Sequence, residues 1–171
     1  MPKAPPFVGP SAVDVAFEVN GDRVSVHVPP HRTLLDTLRE TLGLTGAKRV
    51  CDEGTCGACT VLLDGAPARS CLMLAVACDE REITTIEGFA GDPIIGALRR
   101  GFHQHHALQC GYCTPAMLIT ARDLILRQCA GSEREIREGL AGNICRCTGY
   151  TNIVTAIAEA AKEIGKEAPN A

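Results

Sequence analysis

The chain opens with a regular alternation of apolar and polar residues. Residues 13–19 alternate with a period of two, Asn20-Gly21 supplies the positive φ angles of a tight turn, and the alternation resumes over residues 24–28. Side chains that alternate in this way point to opposite faces of a strand, so one face can be buried. The pattern therefore predicts a β-hairpin.

The rest of the first half predicts one helix and more short strands. Thr33 followed by Asp36 resembles a capping box, and it begins an apolar stripe of leucines that ends at Gly43. A second hairpin is predicted around Asp64-Gly65, and a short strand near residues 82–86 follows it. This half of the chain is predicted to be a small α+β unit.

Beyond residue 92 the pattern becomes helical. Apolar residues recur at helical spacing in four segments, 93–105, 114–128, 132–139 and 151–164. Proline just inside the second segment, Ser132 with Glu135 as a capping box in the third, and Gly165 after the fourth mark their ends. This half is predicted to be a four-helix bundle, which makes the fold class α+β.

The boundary between the halves is expected between Ile86 and Asp92. The N-terminal residues are rich in proline and poor in apolar side chains, which indicates a flexible tail or an arm that embraces a partner. The predicted organisation has four parts, in chain order: an N-terminal tail over 1–12, a first domain over 13–88, a helical domain over 89–165, and a C-terminal tail over 166–171.

Composition narrows the classes of protein that the chain can represent. With 171 residues it is one average domain or two small ones, too short for a Rossmann unit together with a substrate domain. A net charge of −3 argues against nucleic-acid binding, and no apolar run is long enough to span a membrane. The N-terminal sequence lacks signal-peptide features, so we expect a cytoplasmic protein. Its closely spaced cysteines are then metal ligands or catalytic thiols rather than disulfides.

Four of the ten cysteines have the spacing C-x4-C-x2-C-x11-C, and they are Cys51, Cys56, Cys59 and Cys71. This is the plant-type ferredoxin pattern for a [2Fe–2S] cluster. Gly54 and Gly57 between the ligands would let the backbone wrap closely and direct N–H groups at sulfur. A zinc site more often shows paired C-x2-C motifs, so the pattern favours iron and sulfide.

A second quartet has the spacing C-x2-C-x31-C-x-C, and it consists of Cys110, Cys113, Cys145 and Cys147. Taken alone, two short clips brought together by helix packing suit a zinc ion and an iron–sulfur cluster equally well. Arg146 lies between two of these cysteines, where it is either a charge compensator that raises the cluster potential or a solvated arginine.

The remaining cysteines and the histidines carry no predicted site. Cys78 is expected to pack as a small hydrophobic residue, and Cys129 has no cysteine neighbour at ligand spacing. His103, His105 and His106 fall at a helix end, where imidazolium suits the helix dipole and solvent. No motif for an activated nucleophile occurs, so we expect no catalytic residue in this chain.

Three motifs in order resemble the iron–sulfur subunit of the molybdenum hydroxylases, the xanthine oxidase and carbon monoxide dehydrogenase family. They are Cys51-Asp-Glu-Gly-Thr-Cys-Gly-Ala-Cys-Thr-Val-Leu-Leu-Asp-Gly65, Gln109-Cys-Gly-Tyr-Cys-Thr-Pro115 and Gly142-Asn-Ile-Cys-Arg-Cys-Thr-Gly-Tyr150. The resemblance extends from about Val13 to Ile164. It favours iron in the second quartet.

The resemblance implies a β-grasp, plant-ferredoxin-like first domain, a helical second domain, and one [2Fe–2S] cluster in each. It also implies a large partner subunit that binds molybdopterin and substrate, and usually a medium subunit that binds FAD. Gln109 and Cys147 are implied to lie near the pterin, so that electrons pass from the helical-domain cluster to the ferredoxin-like cluster and on to FAD or an external acceptor.

The sequence departs from the usual family pattern at three positions close to cysteines. Val50 and Ala116 stand where glycine is usual, and Tyr112 stands where phenylalanine is common. These departures bear on loop geometry and cluster potential. Two alternatives to a subunit are a zinc-stabilised adaptor module and a free-standing ferredoxin-like carrier, which should be a stable monomer.

Overall fold

The computed structural model describes residues 11–167, which form a mixed α/β structure with one five-stranded sheet and five helices. The predicted N-terminal tail therefore lies almost wholly outside the described residues. No helix in the described part of the chain is both long and apolar enough to span a membrane.

The sheet is built largely from two hairpins. Its strands are β1 (Val13–Val19), β2 (Asp22–Val28), β3 (Thr60–Leu63), β4 (Ala66–Arg69) and β5 (Glu82–Thr84). The spatial order is β2-β1-β5-β3-β4, with β1 and β5 parallel and all other neighbours antiparallel. Both predicted hairpins are confirmed, and their turn residues Asn20-Gly21 and Asp64-Gly65 all have the positive φ that a two-residue turn needs.

The helical elements follow the predicted start signals. Their bounds are α1 (Leu34–Asp36), α2 (Pro93–Gln104), α3 (Thr114–Leu126), α4 (Glu133–Gly139) and α5 (Thr151–Glu167). The Thr33 side chain caps α1 by accepting from the backbone N–H of Asp36, and Ser132 with Glu135 forms a complete capping box on α4.

Two details differ from the sequence predictions. Helix α1 continues as a π-helical turn over Thr37–Thr41, where the N–H of Leu42 donates to the carbonyl of Thr37. Helix α5 continues past Gly165, where its end was predicted. A glycine inside a helix costs only about 1 kcal/mol, and Ile164 beside it packs against the helical core.

Two groups of buried apolar side chains hold these elements together. One lies between the sheet and α1 and includes Phe17, Leu38 and Ile83, each fully buried. The other lies among α2, α3, α4 and α5 and includes Leu98 and Met117. Burying each such side chain contributes about 1.5–3 kcal/mol, so each group gives the neighbouring cysteine loops a rigid base.

Candidate metal centres

The first cysteine quartet meets where the loop before β3 faces the turn after β4. The Sγ atoms of Cys59 and Cys71 are 3.3 Å apart, and the N–H of Cys56 lies 3.4 Å from the Sγ of Cys51. Cys56, Cys59 and Cys71 are buried, while Cys51 is half-buried. Local pairing of β3 with β4 therefore brings the thiol of Cys71 to that of Cys59.

Backbone N–H groups surround the sulfur of Cys51. Those of Glu53, Cys56 and Thr55 favour its thiolate and lower the pKa of Cys51 to about 7. Burial has the opposite effect on Cys71 and raises its pKa to about 12, although the N–H of Gly54 acts against this. A loop that directs N–H groups at sulfur is the environment that a negatively charged cluster requires.

Glycine is necessary at two positions in this loop. Gly54 and Gly57 have φ angles of +79° and +72°, which side-chain-bearing residues rarely adopt. A Cβ at Gly54 would collide with the side chain of Leu72, and one at Gly57 would collide with the carbonyl oxygen of Gly142. The second collision shows how closely the loops of the two quartets approach each other.

The second quartet lies at the ends of two helices. Cys113 is the N-cap of α3, and Cys145 and Cys147 precede α5. The Sγ atoms of Cys147 and Cys110 are 3.5 Å apart. Burial and the adjacent Cys145 thiol raise the pKa of Cys113 to about 12.

The thiols of the second quartet also have local donors. Burial opposes the thiolate of Cys145, but the hydroxyl of Thr148, whose Oγ1 is 3.2 Å from the sulfur, and nearby backbone N–H groups outweigh it and lower the pKa of Cys145. The N–H of Tyr112 and the Cys147 side chain lower the pKa of Cys110. Both features favour the charged sulfur that binds iron.

The two quartets differ in exposure. Cys110 and Cys147 are exposed, whereas three of the four thiols in the first quartet are buried. The side-chain amide of Gln109, itself exposed, donates from Nε2 to the carbonyl of Cys147 at 3.1 Å. The second quartet therefore opens onto the protein surface beside Gln109.

Direct hydrogen bonds join the loops of the two quartets. The N–H of Ile144 donates to the carbonyl of Cys56 at 2.8 Å, and the Arg69 guanidinium donates to the carbonyl of Gly142 at 2.7 Å. The Tyr112 hydroxyl donates to the carbonyl of Arg49 at 3.3 Å. The hydroxyl that distinguishes Tyr112 from phenylalanine thus makes a contact between the two sites.

The chemistry of the donors fits dinuclear clusters better than single ions. Each quartet contains one close pair of thiols, Cys59 with Cys71 and Cys110 with Cys147. Backbone N–H groups point at Cys51, and the Thr148 hydroxyl lies beside Cys145. Thiolates in pairs with N–H donors suit the two bridged irons of a [2Fe–2S] cluster.

The other candidate residues lie apart from both quartets. Cys78 is fully buried in the core beneath the sheet, and Cys129 is half-buried with its sulfur 3.4 Å from the carbonyl of Arg127. His105 contacts Glu159, with Nε2 2.7 Å from a carboxylate oxygen. Arg146 is exposed.

Replacing Cys78 or Cys129 with Ser should leave the iron content of the chain unchanged. Neither sulfur lies with a quartet, so the iron per folded chain should equal that of the wild type, although the hydroxyl introduced at the buried position of Cys78 costs some stability. Iron analysis of the purified variants is the measurement. Loss of about two irons in either variant would contradict the assignment of the quartets.

Sequence reasoning gave no role to the residues that connect the quartets. Asn143 and Ile144 lie inside a recognised motif, yet their contacts with Gly57 and Cys56 span more than 80 positions of the sequence. No pattern in the sequence predicted a role for Arg69, which lies in β4. The motif spacing could have singled out Asn143, because it is a polar residue in a cysteine loop.

Comparisons with known proteins agree on one family. Residues 17–84 match the 2Fe-2S iron-sulfur cluster binding domain, and residues 85–158 match the [2Fe-2S] binding domain. The chain is 48% identical to the caffeine dehydrogenase subunit gamma of a Pseudomonas species over 84% of this chain and 87% of that one. It is 43% identical to the nicotinate dehydrogenase small FeS subunit of Eubacterium barkeri, over 85% and 92% of the two chains.

A solved structure shares the fold. The chain superposes on a chain in the crystal structure of quinoline 2-oxidoreductase from Pseudomonas putida 86 with a TM-score of 0.85 and 45% identity. The match covers 92% of this chain and 98% of that chain.

Proposed function

The chain belongs to the family of iron–sulfur subunits of multi-subunit molybdenum hydroxylases, and from this membership we propose which residues hold its two clusters. It has two 2Fe-2S binding domains and is an electron-transfer component of an oxidoreductase complex. One cluster is bound by Cys51, Cys56, Cys59 and Cys71. The other is bound by Cys110, Cys113, Cys145 and Cys147.

The observation that carries this assignment is the pairing of thiols within each quartet. In the first quartet Cys59 pairs with Cys71, and in the second Cys110 pairs with Cys147, at Sγ distances of 3.3 and 3.5 Å. Two thiolates on each iron is the arrangement of a [2Fe–2S] cluster, which accepts and releases one electron when bound. The chain supplies the N–H groups and the Thr148 hydroxyl that stabilise negative charge on these sulfurs.

The same assignment divides the chain into two domains. Residues 13–88 form a β-grasp, plant-ferredoxin-like domain with the first cluster, and residues 89–165 form a four-helix-bundle domain with the second. The two groups of buried apolar residues support this division, with Leu62 and Ile86 of the first domain packed against the helical group.

The partners are a large subunit that binds molybdopterin and, in the full complex, a medium subunit that binds FAD. The large subunit covers the surface around Cys110 and Cys147, with Gln109 and Cys147 facing the pterin. Three exposed apolar side chains close to ligands in the sequence, Leu108, Tyr112 and Ile144, are 42–48% exposed and support docking at this surface. This placement gives electrons a path from the exposed second cluster to the buried first cluster.

Metal analysis and magnetic resonance test the assignment. The chain purified with its complex should contain about four irons and four inorganic sulfides, and partial reduction should produce two distinct paramagnetic signals. Zinc in place of iron would favour the adaptor alternative. A chain that purifies as a stable monomer with both signals would favour the free-standing carrier.

Replacing Gln109 with Ala should slow electron entry into this chain without removing a cluster. The substitution removes a hydrogen bond to the Cys147 carbonyl, and such bonds contribute about 0.5–1.5 kcal/mol, so reduction of the second cluster by substrate should slow by about 2- to 10-fold. Stopped-flow reduction followed by rapid freezing and paramagnetic resonance measures each cluster separately. Gln104→Ala, a change of the same type at an exposed position in α2, is the control. Equal rates of reduction of the second cluster in the two variants would indicate that the large subunit does not dock at Gln109.

A further inference from the structure

Asn143 is a buried polar residue between the two cysteine loops. Its residue surface is only 3% exposed, and each polar group of its side chain has a partner. Nδ2 donates to the carbonyl of Gly57 at 3.3 Å, and Oδ1 accepts from the hydroxyl of Thr120 at 3.1 Å. The orientation of the amide is determined by its partners, because the Gly57 carbonyl can only accept. Asn143 therefore links helix α3 to the loop of the first quartet.

The backbone of Asn143 is held as firmly as its side chain. Its N–H donates to the carbonyl of Leu140 at 2.8 Å, and its carbonyl accepts from the hydroxyl of Tyr150 at 3.2 Å. The same hydroxyl accepts from the N–H of Cys145 at 2.8 Å. The position of Asn143 is thus coupled directly to that of a cysteine in the second quartet.

The neighbour of Asn143 makes the closest connection between the ligand sets. The N–H of Ile144 donates to the carbonyl of Cys56, and Cys145 follows Ile144 in the chain. From the sulfur of Cys145 to that of Cys56 the connection consists of covalent bonds and this single hydrogen bond. The side chain of Asn143 binds the carbonyl of Gly57, and the N–H of Ile144 binds the adjacent carbonyl of Cys56. The side-chain contact therefore fixes which carbonyl the N–H of Ile144 meets.

We propose that Asn143 is a positioning residue that fixes the spacing of the two cluster-binding loops and thereby sets the electronic coupling between the clusters. This inference rests on the proposed function. In the step concerned, one electron leaves one cluster, which is oxidised, and enters the other, which is reduced, and no proton is gained or lost. Asn143 is not one of the proposed ligands, and it would act through the Ile144–Cys56 hydrogen bond.

A purely stabilising role would have a different signature. If Asn143 only stabilised the fold, loss of its amide would lower the stability of the protein, as loss of any satisfied buried group does. The spacing of the two cysteine loops would stay unchanged. A positioning role requires that the magnetic interaction between the clusters also changes, because dipolar coupling depends steeply on the distance between spins. The two roles can therefore be separated in protein that still holds all its iron.

The experiment compares Asn143→Ala with Asn152→Ala in the holoprotein purified as its complex. Asn152 is the matched control, since it is an exposed asparagine of the second half whose Nδ2 donates at 3.5 Å to the carbonyl of His106, in the same half. Iron is counted in each protein. The splitting caused by spin–spin interaction is then measured at low temperature with both clusters reduced, and transfer between the clusters is followed after rapid mixing with substrate.

We expect Asn143→Ala to keep its iron, to lose the resolved splitting and to slow transfer between the clusters, whereas Asn152→Ala matches the wild type. Splitting and transfer rate at wild-type values in Asn143→Ala would overturn the proposal. If Asn143→Ala loses iron, the smaller polar change Asn143→Ser is measured instead, and loss of iron there as well overturns positioning in favour of a stabilising role. A wild-type chain without two [2Fe–2S] signals would instead overturn the proposed function itself.

Discussion

Replacing Cys56 with Ser should remove one of the two clusters, which is about half of the iron, and weaken the first half of the protein. The four thiols of this quartet join a loop to the turn after β4, and a cross-link that closes a loop of about 15 residues contributes about 3 kcal/mol. In a chain of this length, that loss lowers the midpoint of thermal unfolding by about 6–12 °C. Iron analysis, paramagnetic resonance and a thermal scan measure these effects.

Cys78→Ser is the matched control for this substitution. Cys78 and Cys56 are both buried cysteines of the first half, but only Cys56 lies with a quartet. The control should keep all its iron and both signals. An unchanged spectrum in Cys56→Ser, or the loss of the other cluster's signal in its place, would contradict the assignment of the first quartet.

Replacing Gly57 with Ala should destabilise the protein more than an equivalent change at another turn. A side-chain-bearing residue at positive φ costs about 1–2 kcal/mol. The new Cβ would also collide with the carbonyl of Gly142, and overpacking of this kind costs about 1–3 kcal/mol more. Each kcal/mol of lost stability lowers the midpoint of thermal unfolding by about 2–4 °C in a chain of this length. The two costs together should therefore give a drop that a thermal scan resolves.

The variant Gly65→Ala separates the cost of the positive φ angle from the cost of the collision with Gly142. Gly65 has a φ of +79°, similar to the +72° of Gly57, and a Cβ built there meets no atom within 4 Å. It should therefore show the cost of the backbone conformation alone. Gly57→Ala should in addition weaken the contact between the loops and narrow the spin–spin splitting, which Gly65→Ala should leave unchanged. Equal shifts in the two variants would show that the approach of Gly142 adds no energy.

The elements that the sequence predicted well are those with local signals. The hairpins follow from a period of two around turn dipeptides, and Asn20-Gly21 indeed has positive φ at both residues. The starts of α1 and α4 follow from capping residues three positions apart. Each signal lies within a few residues and needs no knowledge of the rest of the fold.

What could not be predicted depends on contacts between distant parts of the chain. Arg69 and Gly142 are 73 positions apart, and Asn143 and Gly57 are 86 apart, so no local pattern indicates that they meet. Helix α5 continues to Glu167, because one glycine inside a helix costs only about 1 kcal/mol and is a weak signal for its end. The two cysteine quartets were visible in the sequence, whereas the contacts that place one quartet against the other were not.

The unequal exposure of the two quartets has a consequence for the life of the chain before it joins its complex. Cys110 and Cys147 lie at the surface, while Cys56, Cys59 and Cys71 are shielded by their own half of the protein. Oxygen, chelators and peroxide reach an exposed thiolate first. With the clusters held as proposed, a chain outside its complex would therefore lose the cluster at Cys110 and Cys147 before the cluster of the shielded quartet, and assembly that covered this surface would protect it.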